Sequence, residues 1–156
     1  MKEYIGTKII KAEPAYKVNG NIVTELPLST AKNPKTAQAG YKVEYLDGYV
    51  SWSPADVFEE SYRANGNLTF GHAIDYLKLG CKLARKGWNG KGMYIYLQEG
   101  STISSDDARN KHLFDLGVMK IILNPHIDMK TADGSITIGW APSQVDMLSS
   151  DWGVVE

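Results

Sequence analysis

An α+β fold, built on an antiparallel sheet with a few short helices and preceded by a small N-terminal β-hairpin and helix module, is the class this chain predicts. Two Asp-Gly pairs, Asp47-Gly48 and Asp133-Gly134, each lie between alternating apolar and polar runs, the pattern of an antiparallel hairpin. Short apolar stripes at helical spacing occur with capping residues before them and glycine after them. A run of turn-forming residues, Ala64-Asn65-Gly66-Asn67, splits the chain near its middle and predicts a boundary between residues 1–64 and residues 67–156.

In the first part, Tyr4 to Lys11 is β-branched and aromatic and reads as a strand closed by Glu13-Pro14. Gly20-Asn21 marks a turn, and residues 29–40, small and polar around a proline, read as a surface loop. Tyr41–Tyr45 and Tyr49–Trp52 form the two arms of the first hairpin. Ser53-Pro54-Ala55-Asp56 then offers a capping hydroxyl, a proline suited to the first helical position and an early acid. A helix from Ala55 to about Arg63 follows, ended by Asn65-Gly66.

In the second part, Thr69 stands as an N-cap before Phe70, Ala73, Ile74 and Leu77, a single stripe with Gly80 as its stop. Lys82–Arg85 leads through Gly87-Trp88-Asn89-Gly90-Lys91-Gly92 into a strand, Met93–Leu97. Ser105-Asp106-Asp107 reads as the cap of a short helix running through Leu116 and closed by Gly117. Ile127–Lys130 and Ile136–Ile138 form the second hairpin, Ser143 to Met147 a helical turn, and Trp152–Val155 a last strand returning to the sheet.

The chain has 156 residues, is 43% hydrophobic and 22% charged, and has a formal net charge of −1, with 17 basic and 18 acidic residues. That is room for one or two compact units with a core. So balanced a charge provides no field to hold duplex nucleic acid by counterion release. Cys81 is the sole cysteine, which excludes an intrachain disulfide and fits a reducing cytoplasm. No apolar run approaches the ~20 residues that span a bilayer, and the first residues lack a secretory pattern, so neither export nor a membrane partner is expected.

Catalysis finds little support. His72, His112 and His126 lack metal-ligand spacing, and Cys81 beside Gly80 reads as a small buried hydrophobe. Asp106-Asp107, and Asp146 with Asp151, are more economically helix-start or loop acids. No phosphate loop or dinucleotide fingerprint occurs. The expectation is a protein that is not an enzyme, with no metal and no cofactor.

Binding has more to work with. The turn from Gly87 to Gly92 sets Trp88 and Asn89 among three glycines, whose bare backbone lets N–H groups approach a ligand. A Trp face stacks on a nucleobase for about 1–3 kcal/mol, Asn89 suits a base edge or a ribose hydroxyl, and Arg85, Lys86 and Lys91 suit phosphate. Trp88 as a plain core aromatic beneath a turn is an equally good reading of the same residues. Trp140, followed by Ser143, Gln144 and Asp146, repeats the theme, with Ser143 equally suited to capping the helix it precedes. Trp52 and Trp152 sit in strand context and read as core.

Phe70-Gly71-His72-Ala73-Ile74, the stretch Ala84 to Ile95, Met129–Gly134, and Trp140 to Leu148 with Asp151-Trp152 resemble, in that order, the phage Thoeris anti-defence protein 2 family. The resemblance covers about residues 67–156. It implies a tetrameric sponge in the cytoplasm of the infected host, one that binds cyclic ADP-ribose signals without cleaving them. Some relatives also take up cyclic oligonucleotides of CBASS systems. The resemblance further implies that Trp88 and Trp140 wall the adenine and that Asn89, Ser143, Gln144 and Asp146 make polar contacts, with pockets formed where subunits meet. His72 departs from the acidic residue often found at its place and is expected to weaken a capping box with Thr69. Residues 1–63 look like a small module common in phage genomes. A phage protein-interaction or structural component, and a hydrolase degrading the same signal, are the competing readings.

Overall fold

The computed structural model describes residues 1–26, 37–104, 115, 117 and 120–156. The chain divides into two compact units, Met1–Arg63 and Ala64–Glu156. Among the described residues no helix is long and apolar enough to cross a membrane. The expected helix from Ser105 to Leu116 lies outside the described residues apart from Asp115.

The first unit is a four-stranded antiparallel sheet with one helix. Strands β1 (Lys11–Val18), β2 (Asn21–Val23), β3 (Ala37–Glu44) and β4 (Val50–Pro54) stand in the order β2-β1-β3-β4, and α1 (Ala55–Ser61) follows. The hairpin about Asp47-Gly48 joins β3 to β4. Only Gly48 there takes a positive φ, 83°, while the Asp47 carboxylate accepts the Tyr49 N–H at 3.0 Å. Asn19 and Gly20, with φ of 49° and 85°, make the tight turn expected one residue later.

Three expectations shift in this unit. Residues 1–10 carry no secondary structure, and the strand begins at Lys11 and runs through Pro14. What decides this is the long pairing with β3: Pro14 lies opposite Tyr41 and beyond the end of β2, a flank where a missing N–H is tolerated. Residues 37–40, expected within a loop, belong to β3. Ser53 does not cap α1; Pro54 holds the cap position without a side-chain bond, and the helix ends at Ser61. Phe58 of α1 stacks on Tyr41 of β3 at 4.1 Å, and Tyr62 stacks on Phe58 at 4.8 Å.

The second unit centres on a five-stranded antiparallel sheet in the order β10-β9-β6-β5-β11. Its strands are β5 (Lys82–Arg85), β6 (Tyr94–Gln98), β9 (His126–Lys130), β10 (Ile136–Thr137) and β11 (Trp152–Val155). A separate ribbon pairs β7 (Ser101–Ser104) with β8 (Lys120–Leu123). Helix α2 (Phe70–Lys78) packs on β5, β6 and β11, and α3 (Gln144–Leu148) packs on α2. β5, β7 and β8 were not foreseen as strands. Each is four residues long, too short for a period-two pattern to stand out, and owes its state to its neighbours.

One face of that sheet is dry. Leu83 and Ile95 are directly paired, Met129 lies opposite Ile95, and Trp152 and Val154 come from β11 to the same side. Leu68, with Ala73 and Leu77 of the predicted stripe, closes the core from above. Trp152 is fully buried, as its strand context suggested. Thr69 caps α2, and His72 completes the capping box: its Nδ1 faces the Thr69 N–H at 3.3 Å while the Thr69 hydroxyl receives the His72 N–H. The box therefore survives the loss of an acidic side chain, because a ring nitrogen supplies the acceptor instead.

The free side of β11 is occupied by residues just before α2. Leu68 and Trp152 exchange both backbone hydrogen bonds, at 3.0 and 3.1 Å. The Asn65 side-chain oxygen accepts the Val154 N–H at 2.7 Å, acting as a strand would. Gly153 allows this approach, since a Cβ there would lie 3.1 Å from the Gly66 Cα.

Candidate functional site

Beside that core, the turn after β5 meets the segment between β10 and α3. Trp88, Trp140 and Trp152 meet as a cluster of edge-to-face rings. Trp88 lies 6.1 Å from Trp140 and 5.3 Å from Trp152, and Trp140 lies 6.3 Å from Trp152, all with interplanar angles of 74–79°. Trp152 is sealed inside, whereas Trp88 and Trp140 are half-buried and keep surface toward solvent. The two aromatic residues expected to act together are thus neighbours, and the plain core reading holds for part of each ring.

Trp140 owes its place to β9. Its N–H donates to the Ile127 carbonyl at 2.7 Å, and the preceding Gly139, at a φ of 72°, donates to Asp128 Oδ1 at 3.0 Å. Asp128 is 4% exposed and also faces the Tyr96 hydroxyl at 3.4 Å and His126 Nε2 at 3.5 Å. Burial and the adjoining Asp128 charge push the Tyr96 hydroxyl above its ordinary pKa. No sequence motif marked Asp128; its position opposite Tyr96 in the β6–β9 register is what makes it central.

Trp88 is fastened by a charged network. Its indole N–H donates to Asp146 Oδ1 at 3.0 Å, and the same oxygen accepts Arg85 Nη1 at 2.7 Å. Asp146 Oδ2 accepts the Ser143 N–H at 3.0 Å and the Ser143 hydroxyl at 2.7 Å, so Ser143 and Asp146 form the capping box of α3. Arg85 also donates from Nε to Asp151 Oδ1 at 2.8 Å, and Asp151 Oδ2 accepts the Gly87 N–H at 2.8 Å.

These bonds set the ionisation of the network. Burial works to raise Asp146, but the donors from Arg85, Ser143 and Trp88 outweigh it and hold its carboxyl at about 2. The Arg85 guanidinium lowers Asp151 against a smaller burial effect, with help from the Gly87 N–H. Arg85 in turn is raised, first by Asp151 and also by Asp146, against desolvation. One cation thus serves two carboxylates, and the floor of the cluster carries an excess negative charge.

Of the expected site residues, Arg85, Trp88, Trp140, Ser143 and Asp146 are brought together. Asn89, Lys91 and Gln144 are exposed around them. Arg85 and Asp146 are bound to one another, with 11% and 12% of their side chains exposed. Sequence reasoning considered Asp151 with Asp146 as a pair of acids but set it aside as a helix-start or loop residue, whereas here it holds Arg85 and the Gly87 amide. Among the described residues no group of three or more His, Cys, Asp or Glu is arranged to hold a metal ion.

The family model of the Thoeris anti-defense 2-like domain matches residues 68–155. Thoeris anti-defense 2 of Bacillus phage SP01 is 38% identical over a 92-residue alignment that covers 56% of this chain and 94% of that relative. The match begins at Leu68, the strand-like partner of Trp152, and ends at Val155, the last residue of β11, so it spans the five-stranded sheet with its tryptophan cluster. The chain belongs to the Thoeris anti-defense 2-like family.

Proposed function

We propose that the protein is a phage anti-defence sponge. It captures cyclic ADP-ribose-type immune signals in the cytoplasm of the infected host without cleaving them, so that the effector is never activated. The observation that carries this reading is the pair of half-buried rings, Trp88 with its indole N–H on the Asp146 carboxylate and Trp140 with its backbone N–H on the Ile127 carbonyl, in a domain of an anti-defence family. A rigid aromatic wall suits an adenine, with stacking worth about 1–3 kcal/mol per base.

Asn89 and Gln144, exposed next in sequence to Trp88 and to Ser143, are assigned base or ribose contacts, while Ser143 and Asp146 hold the wall and are the further polar groups beside it. Phosphate falls to the exposed Lys91 and Lys86, because the Arg85 charge is already shared between two carboxylates. A sponge has no turnover and must hold its ligand at nanomolar strength, about 12 kcal/mol, and side chains already fixed by the hydrogen-bond network lower the ordering cost of reaching it. Cyclic di- or trinucleotides are a second ligand class. A homotetramer with pockets at subunit contacts is the assembly that fits best, and the exposed Ile138, Val145 and Leu148 near Trp140 are the apolar surface it would cover. The same surface is what favours the competing reading of a protein-interaction component.

Titration calorimetry with cyclic ADP-ribose isomers and one cyclic trinucleotide, followed by heat release and chromatography, tests the proposal. Nanomolar binding with the ligand recovered intact is expected. Recovery of a hydrolysed product would instead make the protein an enzyme, and no binding to any of them would shift the reading to a protein partner.

A further inference from the structure

We propose that Asp151 is a positioning residue for the candidate pocket, setting the pose of Trp88 through the Gly87 amide and the Arg85 guanidinium; the functional half of this inference rests on the ligand reading above. Trp88 is carried by a turn with glycines at 87, 90 and 92, a backbone with many accessible conformations. Edge-to-face packing on Trp140 and Trp152 favours a relative orientation of the rings but does not anchor the backbone of the turn. That anchor comes from hydrogen bonds: Trp88 donates its indole N–H to Asp146 and its backbone N–H to the Arg85 carbonyl at 3.3 Å, while the residues just before it are tied to Asp151.

Two consecutive amides end on that residue. The Lys86 N–H donates to the Asp151 carbonyl at 3.2 Å, and the Gly87 N–H donates to its carboxylate at 2.8 Å. The guanidinium of Arg85 then spans from Asp151, through Nε at 2.8 Å and Nη2 at 3.4 Å, to Asp146, through Nη1 at 2.7 Å. Asp146 holds the Trp88 indole N–H. The planar guanidinium fixes the separation of the two carboxylates, which a lysine ammonium cannot do. Backbone and ring of the Gly87-Trp88 pair are therefore held from opposite ends of one charged bridge.

Gly87 supports the same conclusion independently. A Cβ at that position would lie 2.9 Å from Asp151 Oδ2 and 3.1 Å from Arg85 Nη2, so a side chain at residue 87 pushes on the two ends that form the bridge. Gly87→Ala thus perturbs the bridge without removing either of its charges.

The test uses full-length protein, with Asp151→Asn, Asp151→Glu, Arg85→Lys and Gly87→Ala. The first readout is the Trp88 indole N–H resonance, assigned by its loss in Trp88→Phe. The second is affinity for the cyclic ADP-ribose isomer that the parent protein binds. In Asp151→Asn the Trp88 resonance is expected to shift or broaden while the Trp152 resonance stays in place. Affinity falls about tenfold or more, the scale of a lost charge-assisted hydrogen bond, and Asp151→Glu recovers part of both. An unmoved Trp88 resonance overturns the proposal, as does weakened binding with that resonance unchanged, which would put Asp151 in direct contact with ligand. Should Asp151→Asn fail to fold, Arg85→Lys and Gly87→Ala are read by the same two criteria. If the parent protein binds no isomer, the sponge reading falls, and the resonance alone still decides the positioning role.

Discussion

Gly139 donates its N–H to the buried carboxylate of Asp128 at 3.0 Å, and this bond turns the chain at the end of β10 so that Trp140 meets Trp88. A short polar contact on one strand thereby sets the position of an aromatic wall twelve residues on. Removing the carboxylate by Asp128→Ala strips the Gly139 amide of its acceptor inside a 4% exposed site. The expected cost is about 1–3 kcal/mol, read as a lower urea midpoint with altered near-ultraviolet dichroism of the tryptophans.

Trp88 and Trp152 share one cluster but differ in burial, so their substitutions separate. Trp152→Ala empties the centre of the core and is expected to cost about 3–5 kcal/mol, with loss of a cooperative thermal transition. Trp88→Ala is expected to keep that transition and lose ligand capture by calorimetry. Unfolding of Trp88→Ala would make the ring a core residue first and a binding wall second.

Asp146 is held at about 2, and Asp151 is also lowered in the folded state. A carboxyl whose folded value lies below its unfolded value of roughly 4 contributes stability above that unfolded value and loses it as pH falls toward the folded one. Thermal stability should therefore decline between about pH 4 and pH 2 as protons break the Arg85 bridge. Asp146→Asn is expected to begin less stable at neutral pH and to decline less steeply over that window in melting curves.

The capping box of α2 uses a ring nitrogen where a carboxylate or amide is usual. Thr69→Ala removes the side chain that accepts the His72 N–H and is expected to cost about 1 kcal/mol. His72→Glu keeps an acceptor for the Thr69 N–H and is expected to retain the parent melting temperature within a few degrees. A large loss in His72→Glu would show that the imidazole contributes by packing and not by capping.

What could be read from the residues divides along physical lines. Both hairpins, α2 with its Thr69 cap and Gly80 stop, and the terminal strand with Trp152 were legible, because local turn chemistry and helical period act within a few residues. The strand placed at Tyr4–Lys11 was not: propensity pointed there, while the eight-residue pairing with β3 starts only at Lys11. In the site, the Trp88 and Trp140 pairing and the Ser143 cap were foreseeable as residue types in suitable turns. Asp128 and Asp151 were not, since an isolated acid reveals its partners only once sheet register and a 64-residue separation, from Gly87 to Asp151, are closed. Arg85 looked like a free cation for the same reason.

Asn65 stands outside the 68–155 match, yet its side chain occupies the edge of the last strand. An unguarded strand edge is a template on which other chains add themselves. A fragment begun at Leu68 would keep every residue of the five-stranded sheet and lose the guard, so association through β11 is expected where a fragment begun at Ala64 stays dispersed. Light scattering of the two fragments distinguishes them. The working limit of this domain is thus set by who shields its rim, three residues before the family match begins.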